Sequence, residues 1–198
     1  MIPFFKNKKF LFISIFFSIL FQLQGCNRPA TPQQQRGLQA GDKLLDFSLM
    51  DANGQIYKFS NLPASWYLVI AFYRGSYCDT CRTILMNLKE DYPQFARLNT
   101  ALVAISSDSI VESNNFNTQW QFPFPLLSDP SFKIIDAFGV RHPNGHGIYD
   151  VARPSIFIID PLKVIRYKKI GKNPDDLPNG NEILFMIQQL KQGKAIKD

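Results

Sequence analysis

An apolar segment that runs into a pair of cysteines is the feature that most restricts the fold of this chain. Residues 66–73, with the sequence WYLVIAFY, contain no charged side chain and are rich in strand-forming residues. This pattern is typical of a strand buried on both faces. Cys78-Asp79-Thr80-Cys81 follows four residues later, and apolar residues then recur at helical spacing from Ile84 to Phe95, with Pro93 as a predicted kink or break. The sequence therefore predicts a buried strand, a C-x-x-C pair and a helix, in that order.

The position of the pair predicts reactive sulfur. Unpaired N–H groups and the helix dipole at a helix N-terminus favour a thiolate, and a low thiol pKa makes cysteine a nucleophile. The spacing of three residues brings Cys81 back over Cys78 within one turn, so that the two sulfurs are close enough for a disulfide. Arg74 and Arg82 add positive charge on either side, whereas Asp79 opposes the thiolate when it is ionised.

The remaining pattern predicts one α/β domain with a mixed sheet. Alternating residues around an Asn53-Gly54 turn predict an N-terminal β-hairpin. Further strands are predicted at residues 101–105, 155–160 and 164–170, the last two as a hairpin, and helices after residues 106–108, at 132–138 and at 181–192. No internal repeat or second domain is indicated.

The N-terminal segment predicts export and a membrane tether. Three lysines within the first nine residues precede the 12 residues 10–21, of which only two serines are polar. This run is too short for a stable span of ~20 residues and is typical of a secretory signal. It ends at Leu23-Gln24-Gly25-Cys26, which resembles the lipobox of bacterial lipoproteins, in which the cysteine is acylated. The alternative is an uncleaved anchor with Cys26 incidental. Both place the domain outside the cytoplasm, on the periplasmic side of a membrane.

These features divide the chain into three predicted parts: a signal peptide at residues 1–25, a polar, Pro- and Gln-rich tether linker at 26–41, and a domain at 42–198. If Cys26 carries the lipid, Cys78 and Cys81 are the two cysteines that remain of three. A disulfide between them would close too short a loop to stabilise the fold much, so the pair is interpreted as chemical. The net charge of +6 forms no basic stripe, so no nucleic-acid partner is predicted.

Five short phrases follow one another between residues 42 and 170. They are Leu45-Asp46-Phe47-Ser48-Leu49, Phe72-Tyr73, Ala104-Ile105-Ser106-Ser107-Asp108, Phe124-Pro125-Leu126-Leu127-Ser128-Asp129 and Phe157-Ile158-Ile159-Asp160. In this order they resemble the peroxiredoxin-like (AhpC/TSA, redoxin) family of the thioredoxin-fold superfamily. The resemblance implies a thioredoxin-like α/β fold, a mixed central sheet flanked by helices, with the N-terminal β-hairpin as an extension.

The resemblance also implies roles for individual residues. Aligned on Phe72-Tyr73, the family's peroxidatic cysteine falls on Cys81, its threonine position holds Cys78, and its proline position holds Arg74. The chain thus departs from the family at two positions and combines a peroxiredoxin scaffold with a thioredoxin-type pair.

A second group of predicted site residues lies before a later strand. The family's arginine corresponds to Arg153, with an offset of one residue in the phrase that follows. Pro154 stands where thioredoxins keep a cis-proline that faces the C-x-x-C, and Tyr77 borders the pair. We therefore predict Cys78, Cys81 and Arg153 as catalytic, and Arg74, Tyr77 and Pro154 as substrate-binding.

Two reactions of the same atoms remain open. As an antioxidant peroxidase, the Cys81 thiolate attacks a hydroperoxide, Arg153 stabilises charge on the leaving oxygen, and Cys78 condenses with the sulfenic acid to give a disulfide. As a protein-disulfide reductase of the cell envelope, Cys78 attacks a substrate disulfide and Cys81 resolves the mixed disulfide. Either enzyme needs an external thiol donor, a thioredoxin-like protein or a membrane reductase.

A non-enzymatic alternative uses the two histidines. His142 and His146 lie in a Gly- and Pro-rich segment interpreted as a solvated loop, and with the cysteines they would make four metal ligands. Sco-type copper carriers also use two cysteines and a downstream histidine, but they keep three residues between the cysteines, where this chain has two. No metal site and no organic cofactor is predicted.

Overall fold

A computed structural model of the protein describes residues 36–196, which form nine strands and four helices in that part of the chain. The strands are β1 (Ser48–Asp51), β2 (Ile56–Lys58), β3 (Tyr67–Phe72), β4 (Thr100–Ser106), β5 (Leu126–Ser128), β6 (Arg141–His146), β7 (Tyr149–Ala152), β8 (Ser155–Ile159) and β9 (Ile165–Ile170). The helices are α1 (Asp79–Arg97), α2 (Ile110–Trp120), α3 (Lys133–Ala137) and α4 (Gly180–Lys191).

Seven of these strands form one mixed sheet in the order β2-β1-β5-β4-β3-β8-β9. Strands β3, β4 and β5 are parallel neighbours, whereas β8 pairs with β3, and β9 with β8, in antiparallel orientation. The register aligns Phe72 with Ile105 on one side and with Ser155 on the other, so the carboxyl end of β3 lies between the carboxyl end of β4 and the start of β8. Strands β6 and β7 form a separate two-stranded sheet.

A hydrophobic core lies on each face of the sheet, as the apolar β3 segment predicts. Val69, Ala71 and Tyr73 belong to the core that includes residues of α1, α2 and α4. The alternate residues of β3 face the second core, where Phe72 contacts the rings of Phe138 and Phe157. Because both faces are covered, β3 is rigid support for the loop that follows it.

Most predicted elements are confirmed, and three details of the sequence-based prediction were wrong or incomplete. Helix α1 continues through Pro93 to Arg97, so the predicted break is absent. Residues 141–147, interpreted as a solvated loop, contain β6 and begin the β6–β7 hairpin, which is irregular between His142 and His146. Strand β5 follows the predicted extended segment and was not anticipated.

The last residues of the predicted linker contact the domain. Leu38 is buried, and its N–H donates to Ala137 O at 3.1 Å, while Gly41 N–H donates to Ile165 O at 2.8 Å. Residues 1–35, which include the predicted signal and Cys26, lie outside the described residues, so the tether and the domain boundary remain predictions. In the described part of the chain, no helix has the length and apolar character to cross a membrane.

Candidate active site

The loop between β3 and α1 places both reactive cysteines at the start of the helix. Cys78 is the N-cap residue of α1, and its sulfur accepts a hydrogen bond from the Cys81 backbone N–H at 3.2 Å. Cys78 N–H in turn donates to Gly75 O at 3.1 Å, which closes the loop into a tight turn. The two cysteines are joined in a disulfide, with their Cα atoms 5.2 Å apart. The predicted proximity of the pair is therefore observed.

The two sulfur-bearing side chains differ in exposure. Cys81 is 2% exposed and belongs to the core beside α1, whereas Cys78 is partly exposed at the helix end. A soluble thiolate that approaches the closed disulfide therefore meets Cys78 first. Because attack on one sulfur releases the other, Cys81 would be the leaving thiolate in the first turn of α1, where the positive end of the helix dipole favours negative charge.

The charged residues around the pair are partly neutralised. Asp79, predicted to oppose a thiolate, pairs with Arg82 at 2.7 Å, and the Arg82 guanidinium also lies 4.9 Å from the centroid of the Trp120 ring. Because Arg82 is paired with Asp79, the positive charge near the sulfurs comes from the N-terminus of α1 and from Arg74.

Arg74, Arg153 and Pro154, which the sequence predicted separately, line one cavity of about 160 Å³. The β3–β8 register explains this convergence, since Phe72 opposes Ser155 and continuing the pairing leads to Arg74 and Arg153. His142 of the β6–β7 hairpin lines the same cavity. The peptide bond before Pro154 is trans, so the cis bond of the thioredoxin comparison is absent here.

The β6–β7 hairpin packs against the loop that carries the cysteines. An Arg74 terminal nitrogen donates a hydrogen bond to Gly145 O, and the Tyr77 ring stacks on His146 with the ring centroids 3.9 Å apart. Both contacts join residues about 70 positions apart in the sequence, so local pattern analysis missed them. Tyr77 remains 43% exposed and borders the pair as predicted.

Asp108 supports the same loop from the end of β4. Its Oδ2 accepts a hydrogen bond from Ser76 N–H at 2.8 Å, and the residue is 8% exposed. Burial raises the pKa of this carboxyl from 3.8 to about 6, although the bond from Ser76 acts in the opposite direction. Burial also raises the pKa of Tyr73, whose hydroxyl lies near Asp108 without a well-aligned hydrogen bond. The sequence had indicated Asp108 as part of a helix start and of one family-like phrase, but not as a site residue.

The histidines do not join the cysteines in a cluster. His146 lies against Tyr77, and His142 faces the arginine-lined cavity. Among residues 36–196, no three His, Cys, Asp or Glu side chains come close enough together to hold a metal ion. The geometry of the described residues therefore gives the copper-carrier alternative no support.

Comparison with known proteins decides the family. A family model described as the AhpC/TSA family matches residues 40–168, which is well over half of the chain. The chain belongs to the AhpC/TSA family. This match confirms the predicted family, and the mixed sheet flanked by helices confirms the predicted thioredoxin-like architecture.

Two curated relatives and one solved structure illustrate the similarity. The 1-Cys peroxiredoxin of Dictyostelium discoideum is 29% identical over 164 residues, which are 78% of this chain and 65% of that protein. The peroxiredoxin of Hyperthermus butylicus is 24% identical over 172 residues, 79% of this chain and 69% of that one. The crystal structure of peroxidoxin BcpB from Mycobacterium tuberculosis superposes with a TM-score of 0.69 at 22% identity and covers 77% of this chain and 98% of that chain. The last comparison supports the fold alone.

In this AhpC/TSA protein, the raised pKa of Asp108 predicts that the free energy of unfolding depends on pH. A carboxyl whose pKa is higher in the folded state binds its proton more tightly there than in the unfolded chain. Its contribution to the free energy of unfolding is therefore full below pH 4 and is lost as the pH rises through about 6. The shift corresponds to about 3 kcal/mol. Relative to Asp108→Asn, the wild type should lose about 2–3 kcal/mol of stability between pH 4 and pH 7.5.

Urea unfolding of both proteins at the two pH values measures this difference. Asp46→Asn, which removes an exposed carboxylate, is the matched control for the loss of one charge. A stability difference between wild type and Asp108→Asn that is the same at both pH values would contradict the assignment.

Proposed function

We propose that this protein is a thiol peroxidase that reduces hydroperoxides with the Cys78–Cys81 pair. The observation that carries the proposal is the disulfide at the N-terminus of α1, directly behind the buried strand β3 of an AhpC/TSA domain. Relatives of the domain are named peroxiredoxins, and the paired cysteines supply both a nucleophile and a resolving thiol.

The proposed cycle begins with the Cys81 thiolate. It attacks one oxygen of ROOH, the O–O bond breaks, and after protonation the products are ROH and a sulfenic acid on Cys81. The Cys78 thiol then attacks that sulfur, forming the disulfide and releasing water. Two further thiols return the pair to the dithiol, and they leave as a disulfide of the donor.

Arg153 and Arg74 have supporting roles in this cycle. Both guanidinium groups line the cavity beside the loop, where positive charge stabilises the oxygen that leaves with the electron pair of the O–O bond. Helix α1 favours thiolate character in this pair, because Cys81 lies in its first turn at the positive end of the helix dipole and the Cys81 backbone N–H donates to Cys78 Sγ.

Stoichiometric oxidation tests the proposed function. The reduced protein should lose its two active-site thiols when one equivalent of hydrogen peroxide is added, and mass spectrometry of a digest should find Cys78 and Cys81 in one cross-linked peptide. Thiol titration in the absence of any donor measures the loss. If several equivalents of hydrogen peroxide oxidise the two thiols no faster than they oxidise free cysteine, the protein is not a peroxidase.

Protein-disulfide reduction is the second candidate function, because partly exposed Cys78 lies over buried Cys81. This arrangement suits attack by Cys78 and resolution by Cys81. The redox midpoint discriminates the two functions. A value near that of thioredoxin, about −270 mV, together with fast reduction of a protein disulfide, would favour the reductase. A much higher value with fast peroxide turnover would favour the peroxidase.

We also propose that the enzyme works outside the cytoplasm, tethered to a membrane by lipid on Cys26. The support is the signal-like residues 1–25 and the lipobox-like residues that end them. Labelling of cells with a palmitate analogue tests this. The full-length chain should take up label and fractionate with membranes, and Cys26→Ala should do neither.

A further inference from the structure

The cavity beside the cysteine loop is lined by three cationic side chains and by no carboxylate. Arg74, Arg153 and Lys172 contribute to its wall together with His142, and neither Asp nor Glu does. Its volume of about 160 Å³ is below the range of about 300–1,000 Å³ that suits a drug-sized ligand, so it suits a single small polar group.

The positive charge of this cavity is poorly compensated by the protein. The Arg153 side chain is exposed and forms no hydrogen bond or ion pair with any of residues 36–196. Arg74 Nε is buried, and the described residues offer it no acceptor, although a terminal nitrogen of the same group bonds to Gly145 O. Arg74 and Arg153 lie just beyond the paired ends of β3 and β8 and line one cavity, so their like charges repel, and a bound anion would relieve that repulsion.

The acidic residues near the cavity are engaged elsewhere. Asp150 of the hairpin pairs with Arg141 at 3.1 Å and accepts a hydrogen bond from Asn144 N–H. Asp176 pairs with Lys169 at 3.2 Å and accepts a bond from Lys172 N–H, so it offsets part of the charge of Lys172. Neither carboxylate lines the cavity, and no carboxylate of residues 36–196 forms an ion pair with Arg74 or Arg153.

The cavity and the partly exposed Cys78 share one loop. Arg74 precedes Gly75, and Cys78 N–H bonds to Gly75 O, so the tight turn that carries Cys78 begins next to a residue that lines the cavity. The structure shows the disulfide form of the pair, which is the form that a reducing thiol attacks.

We propose that this cavity binds the carboxylate of a small acidic thiol that reduces the Cys78–Cys81 disulfide. The proposal rests on the proposed function, in which this disulfide must be reduced in every cycle. The anchored thiolate attacks Cys78 Sγ, forms a mixed disulfide and releases the Cys81 thiolate. A second thiolate then displaces Cys78, so two donor thiols become one donor disulfide and two electrons reach the protein.

Reduction of the purified disulfide form by three small thiols tests the proposal without any peroxide. The thiols are 3-mercaptopropionate, neutral 2-mercaptoethanol and cationic cysteamine. Each rate constant per thiolate is divided by that of the same thiol with a small uncharged disulfide, so that the intrinsic nucleophilicity of the thiolate, which changes with the thiol pKa, cancels. We expect 3-mercaptopropionate to react roughly tenfold faster than 2-mercaptoethanol at low salt, as one charge-assisted contact would give. Cysteamine should be the slowest of the three, and the preference should shrink at high salt.

Variants locate the effect. Arg153→Gln should remove most of the preference for the acidic thiol, and Lys172→Gln should lower it by about threefold while leaving oxidation by hydrogen peroxide unchanged. Lys58→Gln, at the other edge of the sheet, is the matched control and should keep the preference. Equal rate constants for the three thiols, or an unchanged preference in Arg153→Gln, would overturn the proposal even if the protein is a peroxidase.

A hydroperoxide that carries a carboxylate is the alternative ligand whose acid group would suit this cavity. Oxidation of the reduced protein by linoleic acid hydroperoxide and by its methyl ester distinguishes this source. The thiol proposal expects the charge preference in the reductive half of the cycle. A preference found only in the oxidative half would assign the cavity to the peroxide and overturn the thiol proposal.

Discussion

Cys81→Ser is expected to lower the rate of peroxide consumption by at least about a thousandfold, because it removes the proposed nucleophile. Cys78→Ser is expected to react with one equivalent of hydrogen peroxide and then stop, since its sulfenic acid has no partner thiol. Stopped-flow measurement of peroxide loss, with dimedone to trap the sulfenic acid on Cys81, separates the two variants. Thr80→Ser, between the cysteines, is the control and should behave as wild type.

The opposite pattern has a defined meaning. If Cys81→Ser consumes one equivalent and Cys78→Ser does not, the first attack belongs to Cys78, and the family alignment does not transfer to this C-x-x-C. Both variants must be shown to fold. Serine at Cys78 preserves an N-cap acceptor, whereas serine at buried Cys81 places a hydroxyl in the core and costs about 1–3 kcal/mol. Urea unfolding therefore accompanies the kinetics.

The β3 strand, the cysteines and α1 could be predicted because their signals are local. An uninterrupted apolar segment, a C-x-x-C and a helical period all lie between residues 66 and 97, and the structure combines them as their order indicates. The long helix and the tertiary packing override Pro93, which leaves one hydrogen bond unmade without ending α1.

The parts that could not be predicted from the sequence depend on contacts between distant residues. In the β6–β7 hairpin, Pro143 and the bulge between His142 and His146 disturb the alternation that marks a strand. Its place beside the site depends on the contact between Arg74 and Gly145, which no local pattern contains.

Asp108 is a second example of a residue whose environment decides its role. Its sequence neighbourhood predicted the start of a helix, and α2 does begin nearby at Ile110. Its bond to Ser76 and its raised pKa arise only because parallel pairing of β3 and β4 brings the ends of both strands to one edge. The same edge carries the cysteines, as expected for the carboxyl ends of parallel strands.

At that edge, Gly75 is packed so closely that the backbone there does not accept a side chain without strain. Its φ is +150°, a conformation that residues with a side chain rarely adopt. A Cβ atom there would lie 2.7 Å from Asp108 Oδ1 and 2.7 Å from Tyr77 Cε1. Tyr77 is partly exposed and has room to move, but Asp108 is buried and held by Ser76, so the clash with its carboxylate persists.

Gly75→Ala is therefore expected to lower the free energy of unfolding by about 3 kcal/mol, of which about 1–2 kcal/mol is backbone strain and the rest is overpacking. Gly54→Ala is the matched control, because Gly54 also has a positive φ of +75°, but a Cβ atom added there would meet no other atom within 4 Å. Its cost should stay near about 1 kcal/mol. Urea unfolding measures both variants.

The two variants also differ in their expected effect on the chemistry. Gly75 O accepts the hydrogen bond that positions Cys78, so a displaced Gly75 should slow disulfide formation after peroxide addition, whereas Gly54→Ala should not. Equal destabilisation by the two substitutions would mean that the loop yields freely around Asp108. In that case the turn of residues 75–78 is not held rigidly by the end of β4, and the sulfurs are positioned by helix α1 alone.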